Sequence, residues 1–363
     1  MRTKGFTIMY KKLLNCVLLG LVLTSCDGVK PRISVVCEEN RVGNCIVKWE
    51  TTPAIEGDVK VYASTDPENI PEDEPVATAP IGNQWMTVVT DDPTRRYYFS
   101  LVFGDKYRVR TAARNIIIPG VQNFRDLGGY PSYETHKRLR WGMLYRSAAI
   151  DSPDECAVRE LKNIGIKTIV DFRSVGEIGR QSAWNKDFRM IRVPIPVDEL
   201  KRIPEAVRAG KVKSDTVYRV VERVNRELMR KYTREFRQVF DVLLEAENYP
   251  VVLHCSSGNG RTGIVSALVL SALGVNPETI MDDYRLSNIY LDIPTASRYA
   301  YRLPVSSQEA ITTMLTARED FLNAAREEIE NTYGDVDTYL REGLELSRKD
   351  IRNLQRILLT PME

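Results

Sequence analysis

Residues 250–274 read PVVLHCSSGNGRTGIVSALVLSALG. Three apolar residues, Val251-Val252-Leu253, and then His254 lead to Cys255. A run of Ser and Gly follows, and from about Arg261 an apolar helical stretch closes at Gly274. Strand, glycine-rich turn and helix in that order place Cys255 where successive backbone N–H groups converge and a helix N-terminus begins. Such a hollow favours an anion. Gly258, Gly260 and Gly263 allow the close backbone approach this needs. The same positive field favours an anionic, attacking sulfur at Cys255. Arg261 offers a planar fork for two phosphoryl oxygens and keeps its charge throughout. Thr262 supplies a hydroxyl for the sulfur as it leaves. These parts suit phosphoryl transfer to cysteine with no metal and no cofactor. Spacing alone does not make the case, because Cys26 to Arg32 repeats the cysteine-to-arginine interval with one glycine, a proline and no strand feeding it.

The surroundings of this stretch alternate strands and helices. "PDECAVRELKNIG" is helical in period, "IKTIVDF" and "FRMIRVPIPV" read as strands, and 217–246 is a long amphipathic stretch. Residues 306–359 are nearly all helix-forming. This predicts an α/β domain with a mostly parallel central sheet flanked by helices over 113–363. Residues 30–112 differ: "NCIVKWE", "GDVKVYAS", "WMTVVT", "RRYYFSLVF" and "YRVRTAA" are short β runs between Pro, Asp and Gly, with a hairpin turn at Gly104-Asp105. They predict a small all-β domain, either a fibronectin III or immunoglobulin-like sandwich with Trp49 and Tyr98 in its core, or another small β fold. Its ligand is not readable.

The first 25 residues carry Arg2, Lys4, Lys11 and Lys12, no acid, and the apolar run CVLLGLVLT, as in a signal peptide, with Met9 as an alternative start. The ending Leu23-Thr24-Ser25-Cys26 resembles a bacterial lipobox. That resemblance implies lipidation at Cys26, a mature chain of 26–112 and 113–363, and a membrane tether in the cell envelope, periplasm-facing or at the surface. Removing four bases from a formal charge of +2 leaves −2, which gives no reason to expect nucleic acid as a partner. In an oxidising compartment Cys37 and Cys45, flanking a turn-like segment, form either a disulfide or two buried thiols. Cys156 reads as a packing residue.

With the whole string in view, HCSSGNGRTG closely resembles HCxxGxxRTG, the signature loop of the cysteine-dependent protein tyrosine phosphatase superfamily. That resemblance implies Cys255 as nucleophile, Arg261 as binder of phosphate and transition state, and Thr262 and His254 in support. Ser256, Ser257, Gly258, Asn259 and Gly260 complete the phosphate-binding loop. NFRDLGGY (123–130), LYRSAAI (144–150), DFRSVGE (171–177) and MDDYRLSN (281–288) are similar to a secreted bacterial subfamily, over about 114–358. Some of its members also act on phosphoserine, phosphothreonine or phosphoinositides. The substrate so implied is a phosphorylated protein or lipid. Multispecific members read Lys-Asp before the loop arginine, where this chain has Asn259-Gly260. The loop thereby lacks one cation and one carboxylate, which favours phosphotyrosine and leaves the general acid open. Asp171 at a strand end, Asp198 after the next strand and Asp126 in a turn are the candidates, with Arg125 and Arg146 as holders of such a carboxylate. The segment 199–216, with Lys201, Arg202, Arg208, Lys211 and Lys213, is either a basic lid or a solvated helix face.

Overall fold

The computed structural model describes residues 30–40, 43–133, 135–178 and 186–362. The expected leader and Cys26 lie outside these residues.

Seven strands form the N-terminal region: β1 (Arg32–Glu39), β2 (Cys45–Thr52), β3 (Asp58–Ser64), β4 (Ala77–Pro80), β5 (Trp85–Val88), β6 (Tyr98–Phe103) and β7 (Tyr107–Ala112). They pair antiparallel into two sheets, ordered β1-β2-β5 and β4-β3-β6-β7. Val47, Trp49, Val59, Val61, Phe99, Leu101 and Phe103 fill the space between them. The Trp49 indole N–H donates to Ile81 O (2.7 Å), so the buried ring is also satisfied. Gly104 and Asp105 both take positive φ, as the predicted two-residue hairpin requires.

One expectation about this region needs correction, and one open choice, between a disulfide and two buried thiols, falls to the thiols. All six residues of β6 are buried, so the strand is covered on both faces. Alternation along it sends Phe99, Leu101 and Phe103 into the sandwich. Tyr98 faces the other way and packs with Tyr62, Ile70, Val102 and Trp141 against the following domain, outside the sandwich core. Cys37 and Cys45 are free thiols. The register sets Cys37 opposite Val47 and Cys45 opposite Glu39, so the cysteines are diagonal neighbours. A diagonal pair is spaced less favourably for a disulfide than a direct one. A hydrogen bond with Cys45, then burial, pushes the Cys37 thiol upward, away from thiolate.

The second region is built on a five-stranded sheet. Its strands are β8 (Arg125–Asp126), β11 (Leu144–Ser147), β12 (Thr168–Asp171), β13 (Arg189–Arg192) and β14 (Val251–His254), in the order β13-β12-β14-β11-β8. The sheet is mixed: β13, β12, β14 and β11 run parallel, and β8 pairs antiparallel at the edge. Strands β9 (Pro131–Ser132), β10 (Lys137–Leu139) and β15 (Leu359–Pro361) make a small separate sheet. β12 and β14 are buried throughout because helices cover both faces. α1 (Glu155–Asn163) and its neighbours pack on one face, where Leu161, Ile169 and Val252 meet. α2 (Asp198–Arg208), α3 (Ser214–Lys231), α4 (Thr233–Leu243), α5 (Gly260–Ala272) and α6 (Pro277–Arg285) cover the other with the later helices. The amphipathic stretch 217–246 is thus two helices, α3 and α4. Parallel strands ending side by side leave a crevice at their carboxyl ends, and the loop after β14 opens there.

Candidate active site

β14 delivers His254 and Cys255 to the head of the crevice, and α5 starts five residues later at Gly260. The turn between them is held from beneath. Gly258 sits at φ +74°, and a side-chain carbon there would lie 2.6 Å from Ser147 O, so only glycine fits so close to β11. Arg146 Nη2 donates to Gly258 O (2.7 Å), and Asn123 Nδ2 donates to Ser257 O (3.1 Å) and Asn259 Oδ1 (3.2 Å). Asn259 in turn donates to Leu315 O.

The two arginines read as carboxylate holders do hold one: Asp283, a residue the sequence reading left without a role. Arg146 Nη1 reaches Asp283 Oδ2 at 2.6 Å, Arg125 Nε reaches Oδ1 at 3.1 Å, and Tyr130 donates to Oδ1 at 3.0 Å. All three charged groups are buried. Burial alone would raise the Asp283 carboxyl, but Arg125 and Arg146 hold it far below the ordinary carboxylate range. Arg125 also donates to the Asn123 side-chain oxygen. The network thus ends on both residues that grip the loop.

Arg261 lies under the loop with its fork engaged. Nη1 donates to Phe172 O (3.1 Å), Ile195 O (3.1 Å) and Glu177 Oε2 (2.9 Å), and Nη2 donates to Glu177 Oε1 (2.6 Å) and Ser256 Oγ (3.2 Å). Glu177 was not singled out from the sequence. It ends a short turn capped by Ser174, whose N–H and hydroxyl both donate to it, and it also accepts from Ser256 Oγ (2.8 Å). Burial alone would raise this carboxyl; Arg261, Ser174 and Ser256 together bring it down to about 2. A signal was present, since S-x-x-E is a capping pattern. Nothing in the pattern tells that the carboxylate faces an arginine 84 positions later.

The crevice is a cavity of about 450 Å³ floored by Cys255, Ser256, Ser257, Asn259, Gly260 and Arg261. Its walls are largely apolar, with Val197, Leu200, Val221, Leu228, Met314 and Phe321. Glu177 is the one carboxyl among its described lining residues, and Lys201 is the one cation of the 199–216 run that reaches it. Lys201 donates to Ser174 Oγ and sits 3.2 Å from Asp198, while Arg208 stacks on Tyr299. Thr262 Oγ1, fully buried, has no partner among the described residues. His254 is fully buried as well, and burial lowers its pKa to about 4, so the imidazole is neutral at pH 7.

The three candidate acids sit in different surroundings. Asp171 is buried against Arg173, which donates to it from Nε (3.0 Å), Nη2 (2.9 Å) and its own backbone N–H (2.9 Å). Burial alone would raise Asp171; the His254 ring 3.7 Å away and Arg173 outweigh it and lower the carboxyl. Asp171 is thus committed to Arg173 and is absent from the lining of the Cys255 cavity, where a general acid is needed. Asp126 is committed elsewhere. It is fully buried, accepts from the N–H groups of Gly128 and Gly142 (both 2.7 Å) and from Arg96 (2.7 Å), and is absent from the cavity lining. Asp198, itself absent from that lining, is exposed at the first turn of α2, between the cavity-lining residues Val197 and Lys201.

A cysteine at the end of a central strand, a glycine-bearing anion cradle and an arginine in the first turn of the next helix define a cysteine-dependent phosphatase site on an α/β fold. Residues 116–360 match the tyrosine phosphatase family, and the chain belongs to it: it is a protein-tyrosine-phosphatase-type hydrolase. The triple specificity protein phosphatase PtpB of Mycobacterium tuberculosis is 28% identical over 283 residues, 67% of this chain and 98% of that one. A candidate tyrosine-protein phosphatase of Cupriavidus necator is 27% identical over 236 residues, 64% and 85% of the two chains. Among solved structures, TpbA of P. aeruginosa aligns at 20% identity and a TM-score of 0.24, covering 49% of this chain and 90% of that one.

Proposed function

We propose that this hydrolase cleaves phosphotyrosine through a phosphocysteine intermediate. The observation that carries the reading is that Cys255, the loop after it and Arg261 floor one cavity whose walls are largely apolar. A phosphoryl group seated on the loop N–H groups and Arg261 places its aryl ring against Leu228, Met314 and Phe321. A serine side chain is too short to use those walls. The Cys255 thiolate attacks phosphorus as the P–O bond to tyrosine breaks, and Asp198 gives its proton to the departing oxygen. Water then attacks phosphorus, its proton returns to Asp198, and the P–S bond breaks to release phosphate and the thiolate, with Thr262 donating to sulfur. A positioned acid of this kind contributes about 10²–10⁴ in rate.

Two finer readings accompany this. The 3 + 4 strand order of the sandwich supports a fibronectin III-like fold, and the lipobox supports attachment of the chain to an envelope membrane through Cys26. A Cys26→Ser chain should then leave the membrane fraction.

The test is phosphate release from phosphotyrosine and phosphoserine peptides, a phosphoinositide and an aryl phosphate, with Cys255→Ser alongside. Release should be fastest from the aromatic esters, independent of added metal, and lost in the serine variant. Persistent release from Cys255→Ser would sink the mechanism. Asp198→Asn should slow poor leaving groups more than p-nitrophenolate; equal slowing would remove Asp198 from the acid role.

A further inference from the structure

Arg96 belongs to the sandwich region, two residues before β6, yet its guanidinium ends inside the phosphatase region. Nη2 donates to Asp126 Oδ2 (2.7 Å), Nη1 donates to Tyr145 Oη (2.7 Å), and the group lies 4.8 Å from the centre of the Tyr98 ring. Its side chain is 9% exposed and that of Asp126 fully buried. Asp126 and Tyr145 are direct register partners across β8 and β11. The next pair on that two-strand ladder is Arg125 opposite Arg146. Side chains alternate along a strand, so one face of the ladder carries the Arg96 contacts and the other carries the pair that clamps Asp283 and Gly258 O. β8 contributes only two residues to this sheet edge. A ladder so short has little rigidity of its own, and an ion pair on its outer face fixes the strand that positions the loop.

We infer that Arg96 is a positioning residue for the phosphate-binding loop: the sandwich braces the active site through the Arg96, Asp126 and Tyr145 contact. The inference rests on the reading of the Cys255 loop as the phosphate site. It gives the sandwich a role in the reaction without a ligand of its own. Shifting β8 and β11 moves Arg146 and Asn123, and with them the carbonyls of Gly258 and Ser257. Displacements of about 1 Å at a reacting group cost up to about 10²-fold in rate.

The experiment compares the full chain with Arg96→Met, Arg96→Lys and Tyr145→Phe, well below each melting temperature. Two quantities are read: aryl phosphate turnover, and protection of Cys255 from iodoacetamide by inorganic phosphate, followed on the Cys255 peptide by mass spectrometry. Lysine keeps the charge on Asp126 but has no second arm for Tyr145. Tyr145→Phe removes only the hydroxyl, so both variants report even if Arg96→Met does not fold. Protection should need about tenfold more phosphate in Arg96→Lys and in Tyr145→Phe, with kcat reduced and melting temperature little changed. Because both changes cut the same contact, the double variant should lose little beyond the worse single one. Folded variants with wild-type phosphate protection would overturn the inference. A wild-type chain without Cys255-dependent turnover overturns the phosphatase reading instead, and the protection assay still reads the brace.

Discussion

Arg261 is flanked by a carboxylate that the chain keeps charged, and this has a measurable acid signature. The ordinary glutamate value of 4.5 is depressed to about 2 at Glu177. The contribution is therefore fully present above about pH 4.5 and is lost as pH falls through about 2, amounting to at most about 3 kcal/mol. Urea melts of wild type and Glu177→Gln at pH 6 and pH 3 should show the gap between them narrowing at the lower pH. A gap that stays constant would mean the pairing adds nothing to the folded state. His254 acts in a higher window. Its ordinary value of 6.5 falls to about 4 in the buried site, so on acidification the unfolded chain takes up the proton first. That stability is complete above about pH 6.5 and drains away down to about pH 4. His254→Gln should flatten the stability profile between those limits; an unchanged slope would place the imidazole elsewhere. Cys255 and Arg261 were legible as loop residues because glycines, hydroxyl and strand surround them in one continuous string. Asp171 is held by Arg173, two positions along the same chain, where sequence does not tell a capped anion from an acid.

Among the elements, the loop between β14 and α5 owes its shape to contacts that sequence order hides. Asp283 is 158 positions from Arg125 and 137 from Arg146, yet it lies between them. The motifs NFRDLGGY, LYRSAAI and MDDYRLSN were each visible as strings, while their convergence under one loop exists only once β8, β11 and α6 are packed. The central strands β12 and β14 were readable because Ile169-Val170 and Val251-Val252-Leu253 are apolar runs. β8, with two residues, has no period to read. Replacing Asp283 by Asn leaves two buried guanidinium groups facing one another without compensation. Breaking a buried pair from one side costs about 3–5 kcal/mol. Asp283→Asn should lose that much in denaturant melts, and Asp282→Asn next to it, paired only with Arg285 at the surface, should change stability by less than about 1 kcal/mol. Equal effects of the two changes would show that the network carries no special weight.

Across the whole molecule, the sandwich and the phosphatase region share an apolar seam as well as the Arg96 contact. Trp141, 8% exposed, packs with Tyr62, Ile70, Tyr98, Val102 and Ala112. Gly142, at φ +76°, lets the chain pass so close that a side-chain carbon there would lie 2.7 Å from Tyr98 Oη. The run YYFSLVF reads as a β strand, but it does not say that the second face is covered by the other region. Two regions joined by a packed seam and a buried ion pair should unfold as one cooperative unit, since neither can open without exposing the other's apolar face. Calorimetry of the wild type should give a single endotherm. Trp141→Ala removes the ring at the centre of the seam, and truncating a buried aromatic costs about 3–5 kcal/mol. Its cost falls on the junction and spares both inner cores, so the variant should resolve into two transitions, with the sandwich melting apart from the phosphatase region. Two separate endotherms already in the wild type would show the seam to be loose docking, and would leave the β8 edge to hold its geometry unaided.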